Sequence, residues 1–238
     1  LALAVKSRLT YDVANTVVSR DERVKPPLGL LWFGGPSHAD ILPRHGHGPS
    51  PQVVGGRLFI EGPDALRAVD VYTGRLLWQR ELKDLGKFYD NTAHQPGAGE
   101  IGGNYVSLAD GVYVVHDRAC LRLDPATGET VRRFRLPAAV GHPAPHWGYI
   151  GAYEDLLIAG SVPTAIEPGE DDEPPTVRPN TRYAASSKAL VVMNRHSGEV
   201  LWTRRAGQVF RHNAIVAGAG KVFCIDATDA DDSLITGT

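Results

Sequence analysis

Ala68-Val69-Asp70-Val71-Tyr72-Thr73-Gly74-Arg75-Leu76-Leu77-Trp78 is the stretch whose reading decides the fold, because the chain repeats it. A second copy runs from Leu121 to Val131 (Leu-Arg-Leu-Asp-Pro-Ala-Thr-Gly-Glu-Thr-Val), and a third from Val191 to Trp202. The shared frame is an apolar, β-branched run, then Asp or Asn, two free positions, Thr or Ser, and Gly. A second apolar run follows, with Trp four residues past the Gly. The Asp or Asn side chain accepts turn amides, and the Gly supplies the positive φ of a tight hairpin. The Trp is a large flat anchor at one place per unit. Self-similarity of this kind identifies a repeat architecture.

Outward from that stretch the units can be paced off. Gln52-Val53-Val54, a Gly55-Gly56 turn and Arg57 to Glu61 predict a hairpin ahead of the first copy. In the second unit, Asn104 to Leu108, the Asp110-Gly111 turn and Val112 to His116 play the same part, before Ala119 to Asp124 and Glu129 to Leu136. The third unit runs from Trp147 through the Glu154-Asp155 turn to Trp202, and a fourth opens with Asn213 to Asp226 around Gly218-Ala219-Gly220. The domain plan is therefore 1–32 as the end of a preceding blade, 33–78 as a blade, 79–136 as a blade with a long connector, 137–206 as a third and 207–238 as the first half of a further one. Trp32 to Trp78 is 46 residues, and Trp78 to Arg132, which stands where Trp is expected, is 54. Arg132 to Trp202 is 70, the surplus coming from an acidic, Pro-rich insert over 163–187 that is expected to be disordered. Four antiparallel strands every 46 or so residues is the period of a β-propeller blade, so the fold expected is all-β, with about four blades of a seven- or eight-bladed ring. An open half-ring exposes two long strand edges, so the piece alone is expected to behave poorly until another segment or chain completes it.

Composition agrees with many short strands joined by turns: 42% of the 238 residues are hydrophobic, with 26 Gly and 17 Pro. A formal charge of −2 gives no reason to expect nucleic acid or an anionic membrane as partner. Cys120 and Cys224 form no CxxC or adjacent pair and read as small strand residues. No apolar run of about 18 residues predicts a membrane span, and no signal peptide is visible. The chain lacks an initiator Met and opens in mid-pattern, which reads as a piece of a longer polypeptide.

The repeat, with Asp70-x-x-Thr73-Gly74-x-x-x-Trp78 as its best copy, resembles the PQQ-type (quinoprotein-like) β-propeller repeat. That repeat is found in quinoprotein alcohol dehydrogenases and in BamB-type envelope assembly proteins. The resemblance covers roughly 25–226 and implies Asp70, Gly74, Trp78, Asp124, Gly128, Asn194, Gly198 and Trp202 as structural repeat positions. It also implies a periplasmic, envelope or secreted location. Dehydrogenases of this kind typically carry an adjacent Cys-Cys disulfide against the quinone, which this sequence lacks.

Chemistry is expected at the links between blades, which share one face near the central channel. Each link carries histidine: His45 and His47, then His94, then His142 and His146, then His212. His47 lies nine residues before Gly56, His146 nine before Asp155 and His212 eight before Gly220, so these imidazoles are expected at one rim. His45, His47, His94, His146 and His212 are candidate metal ligands, or groups that tie the loops together. Asp90, Asn91, Glu100 and Asn104 offer oxygens suited to a hard cation such as the calcium that PQQ enzymes hold beside the quinone. Trp147, Arg211 and Asn213 could complete a pocket, with Trp147 as a platform. No nucleophile elbow, phosphate loop or paired zinc cysteines is present. The first functional expectation is a non-catalytic binding or scaffolding module whose partners are the missing blades, a protein or a small polar ligand. The second is part of a PQQ-dependent alcohol or sugar dehydrogenase, and a weaker third is a histidine metal site. An acid or amide pair at the rim favours the enzyme. Histidines consumed in loop-to-loop hydrogen bonds favour the scaffold.

Overall fold

A computed structural model describes residues 25, 27, 29–30, 32–42, 48–87, 103–164, 166–167, 176–177 and 186–227. Almost all its regular structure is antiparallel strand. The first sheet is β1 (Gln52–Val54), β2 (Arg57–Gly62), β3 (Ala65–Asp70) and β4 (Leu76–Glu81), paired in that order. The second is β5 (Tyr105–Leu108), β6 (Gly111–His116), β7 (Ala119–Leu123) and β8 (Thr130–Arg135), again in order. The third is built from β9 (Trp147–Tyr153), β10 (Leu156–Pro163), β13 (Ser186–Asn194) and β14 (Val200–Arg211). Between β10 and β13, in the insert expected to be disordered, β11 (Ile166–Glu167) and β12 (Thr176–Val177) form a short ladder. β15 (Val216–Gly218) pairs with β16 (Lys221–Phe223). The strand expected to run on to Asp226 ends at Phe223; β17 (Asp226–Ala227) instead pairs with Val209 and Phe210 as a fifth strand of the third sheet. Closure into a ring is not seen among the described residues.

The turns form for the reasons their residues predict. Asp70 Oδ1 accepts the Tyr72 and Thr73 amides at 2.9 and 2.8 Å, and Asn194 Oδ1 accepts those of His196 and Ser197 at 2.9 Å each. Gly74, Gly128 and Gly198 close these turns at φ of 72°, 74° and 78°. In all three units the inner-to-outer hairpin carries a register shift just before the turn, at Ala68/Val69, Arg122/Leu123 and Val192/Met193.

Burial follows stacking of sheets. The middle strands β3, β6, β7 and β13 are buried on both faces over most of their length, whereas the outer strands β4, β8 and β14 are largely exposed. One core, with Phe59, Leu66, Trp78 and Tyr105, joins the first two sheets. A second, with Val106, Phe134, Trp147 and Met193, joins the second and third. The inner strand β1 lies against β5, and β5 against β9. Gln52 ties the first pair without a ladder: its Nε2 donates to Tyr105 O at 3.1 Å and its Oε1 accepts from Ser107 N at 2.7 Å. Both faces of one buried amide are thus satisfied by a neighbouring edge.

The Trp positions explain how sheets register. Trp32 Nε1 donates to Val71 O at 2.9 Å and Trp78 Nε1 to Pro125 O at 3.0 Å, the carbonyl after the Asp in each following unit. Each indole also fills the space above the turn glycine: a Cβ on Gly74 would stand 2.5 Å from Trp32 Cε3, and one on Gly128 2.7 Å from Trp78 Cε3. In the second unit three residues divide this work. Phe134 lies over Gly198, Tyr113 Oη donates to Arg195 O at 3.3 Å, and Arg132, at the expected Trp position, donates to Ser197 O at 2.9 Å. Trp202 departs from the expectation of a docked core residue, being 42% exposed because no following turn among the described residues lies on it.

Tight packing of β10 against the start of β9 favours a glycine at position 160. A Cβ on Gly160 would meet Ser187 Oγ at 2.5 Å and Tyr149 N at 2.9 Å. Because one obstacle is backbone, Gly160→Ala is expected to lower the unfolding free energy by about 1–3 kcal/mol in a urea melt.

Candidate functional site

The link face of the sheets is where the sequence places chemistry. Of its candidates, His45, His47, Asp90, Asn91, His94 and Glu100 lie outside the described residues. Asn104, His146, Trp147, Arg211, His212 and Asn213 lie within them.

Asn104 sits immediately before β5, and its backbone carbonyl accepts from Val115 N at 2.7 Å. That bond holds the residue at the end of the second sheet, with its side chain reaching the first. Asn104 Nδ2 donates to Glu61 Oε1, near the end of β2, at 3.0 Å. Glu61 is only 4% exposed. Its other oxygen, Oε2, and Asn104 Oδ1 are both buried and have no hydrogen-bond partner among the described residues. Burial pushes the Glu61 carboxyl up to about 8, against which the Asn104 amide pulls only part of the way back. The arrangement is an acid–amide pair with two buried oxygens left unpartnered among the described residues, the Asn104 carbonyl as an acceptor and Glu61 Oε2 as the hydroxyl of the neutral acid. The sequence reading missed Glu61 because it lies in a strand, where its period-2 position is the only signal.

His212 begins a 3-10 turn, His212–Ala214, just past β14. It is 3% exposed, its Nε2 lies 2.7 Å from Ser187 Oγ, and its ring tilts against Tyr149 at 5.9 Å. Gly148 admits the imidazole: a Cβ there would stand 3.0 Å from His212 Cε1. His212 thus comes to the same end of the third sheet as His146, two residues before Gly148. His146 is half-buried, its Nε2 has no partner among the described residues, and burial, reinforced by Arg118, holds its pKa below the ordinary histidine value. Trp147, expected as an accessible platform, is 4% exposed and packed among core residues including Phe134, Leu136 and Ile150. Arg211 continues the β14 ladder opposite Ser186, and Asn213 is exposed in the 3-10 turn. Removing the hydroxyl in Ser187→Ala is expected to cost about 1–3 kcal/mol, because a buried ring nitrogen loses its bond; thermal unfolding reads this directly.

The opposite face carries a clamp that the sequence did not reveal. Arg195, one of the free positions of the third turn, contacts Asp110 of the second sheet with Nη1 at 2.9 and 2.7 Å. The same guanidinium nitrogen donates to Tyr113 Oη at 3.1 Å, while Nε donates to Glu154 O at 2.6 Å. Burial opposes ionisation of Asp110, yet Arg195 and Arg122 hold its carboxyl below the ordinary range. His196 Nε2 lies 2.9 Å from Asp155 Oδ1 beside it. A cleft of about 310 Å3 outside the first sheet is lined by Asp64, Glu81 and Lys83, together with Arg67, whose guanidinium is committed to Asp40 and Gln79. It holds none of the sequence candidates.

Among the described residues no three His, Cys, Asp or Glu side chains come together in a way that could hold a metal ion. No helix among them is long and apolar enough to cross a membrane.

No family model matches the chain, and no curated protein does. Among solved structures, BamB from Moraxella catarrhalis is 16% identical with a TM-score of 0.38, over 64% of this chain and 34% of that one. Quinohemoprotein alcohol dehydrogenase from Comamonas testosteroni is 15% identical with a TM-score of 0.41, over 71% and 22%. A europium-containing methanol dehydrogenase is 13% identical with a TM-score of 0.41, over 69% and 34%. The chain therefore spans about a fifth to a third of the length of these proteins. What the chain shares with them is a remote structural similarity to β-propeller folds, without a specific family among them.

Proposed function

We propose that this chain is a non-catalytic propeller-type repeat module that binds or scaffolds within an envelope or secreted protein. The observation that carries this reading is the fate of His212. The imidazole expected at an open rim is buried and bonded to Ser187, so it serves to fasten a link to the sheet. His116, likewise, is bonded to Lys83 O at 2.8 Å across the first two sheets. Histidines used in this way hold loops together.

A second reading, part of a PQQ-dependent alcohol or sugar dehydrogenase, is favoured by the Glu61–Asn104 pair. Two orphaned buried oxygens are donors of the kind a hard cation takes, but calcium takes about six to eight. Asp90, Asn91 and Glu100 of the intervening link are the residues that would make up the set. A bound quinone would supply the two-electron acceptor, and calcium beside it would supply Lewis acidity. Calcium analysis, the quinone absorbance of the purified protein and dye-linked alcohol oxidation test the choice. The scaffold reading expects none of the three signals. Quinone absorbance with dye-linked activity that Glu61→Gln abolishes would replace it with the second reading.

A further inference from the structure

At the start of β9 the regular ladder breaks. Tyr149 stands opposite Gly160 and Trp147 opposite Ser161, so the register shifts and Gly148 has no partner across the strand. Val162, just beyond, is a β-branched residue held at a φ of 56°, a conformation that costs free energy wherever it occurs. Its amide donates to the His146 carbonyl at 3.2 Å, so the strained residue holds the end of the link that leads into β9. Bulges of this kind re-aim side chains, and here two consecutive ones, His146 and Trp147, both meet the second unit. Trp147 packs with Phe134 and Leu136 of that unit. His146 lies within electrostatic reach of Arg118 and Asp117, at the tip of the β6–β7 hairpin.

The groups gathered there are donors short of acceptors. An indole N–H can only donate, and Trp147 Nε1 is buried without a hydrogen-bond partner among the described residues. His146 Nε2 is buried and unpartnered in the same way. Arg118 donates from Nη1 to Ala144 O, two residues before His146, and makes no ion pair among the described residues. Its charge acts on His146 more strongly than that of Asp117, and His142 acts in the same direction as Arg118. A buried donor without an acceptor is costly, so an occupant rich in acceptor oxygens relieves that cost. We infer that this seam, where the His146–Trp147 end of β9 meets the β6–β7 hairpin, is a binding site for a small oxyanion, held by Arg118 and the two ring N–H groups. Phosphate and carboxylate share the chemistry required, negative oxygens that accept several hydrogen bonds at once. A metal ion does not suit the same groups, because the indole N–H offers no lone pair and the guanidinium repels a cation. The inference goes beyond the scaffold reading, and its test involves no quinone, calcium or redox signal.

The test is a titration of the whole protein at constant ionic strength with inorganic phosphate and, separately, with acetate. The readouts are two signals in nuclear magnetic resonance spectra. One is the Trp147 indole N–H, assigned among the four indoles by its loss in Trp147→Phe. The other is the His146 ring, assigned by its loss in His146→Gln. The expected result is a saturable shift of both signals at millimolar anion or below, and the tighter of the two anions names the group the site takes. Arg118→Gln keeps a donor for the Ala144 carbonyl and removes the charge, so it should weaken binding at least about tenfold, and Arg118→Lys should recover part of the loss. Unchanged Trp32 and Trp78 indole signals check that these variants are folded. Three outcomes overturn the inference: no saturable shift at about 50 mM of either anion, the same shift with chloride at matched ionic strength, or unchanged affinity in Arg118→Gln. Each of them would leave the scaffold reading standing.

Discussion

Glu61→Gln is expected to make the protein more stable at alkaline pH and to leave it unchanged in acid. The folded carboxyl titrates at about 8, against 4.5 for the ordinary group. Between those values the native state holds a proton that the unfolded chain has released. Unfolding therefore becomes easier as pH rises, and the native-state cost of ionisation is complete above about 8. Below about 4.5 both states are protonated and the group contributes nothing. A shift of this size corresponds to a cost of up to about 5 kcal/mol, an upper bound since buried groups relax. Urea melts of both proteins from about pH 4 to 9 should show curves that coincide in acid and diverge steadily above about pH 5, the Glu61→Gln variant remaining the more stable. Parallel curves would place Glu61 in contact with solvent. Millimolar calcium supplies a second comparison. If the two orphaned oxygens take a hard cation, calcium flattens the wild-type slope and leaves the Glu61→Gln variant unaffected, in line with the dehydrogenase reading.

Trp78→Ala is expected to be the most damaging single truncation of the docking residues, costing about 3–5 kcal/mol. It removes a nearly buried indole that touches Phe59 at a 5.9 Å ring separation, the Gly128 turn and the Pro125 carbonyl at once. Trp202→Ala, at the same repeat position, should cost less than about 1 kcal/mol, because its ring is open and deletion leaves no cavity. Trp78→Phe separates ring from hydrogen bond and should lose about 1 kcal/mol. Equal effects of Trp78→Ala and Trp202→Ala in chemical denaturation would contradict the difference in burial between the two positions.

The legibility of the fold came from side chains that act within their own turn. Asp70, Asp124 and Asn194 bond amides two and three residues ahead, and Gly74, Gly128 and Gly198 adopt positive φ in place. Strand boundaries set by the Asp110-Gly111 and Gly55-Gly56 turns agree with the structure within a residue. The candidate site was legible only in part. Asn104 was visible as a polar residue in a link, but its partner Glu61 lies 43 residues earlier. His212 was visible as a link histidine, but its role depends on Ser187, 25 residues away across the same sheet. Trp147 carries the aromatic surface expected of a platform, and its burial depends on Phe134 and Leu136 of the preceding sheet.

By itself the sequence determined that strands recur in fours in the first two sheets, where their hairpins turn, and that Trp32 and Trp78 dock on a neighbouring unit. Each of these follows from hydrogen bonds and backbone torsions closed over a few residues. Only the tertiary structure decided how the second unit manages without a Trp, sharing that work among Phe134, Tyr113 and Arg132. It alone decided that Gln52 stitches two inner edges, that Glu61 is forced to keep its proton, and that one Leu-Trp pair is covered while the other is open. The reason is physical: burial and desolvation are properties of what arrives from a neighbouring sheet, and no local pattern records which neighbour that is.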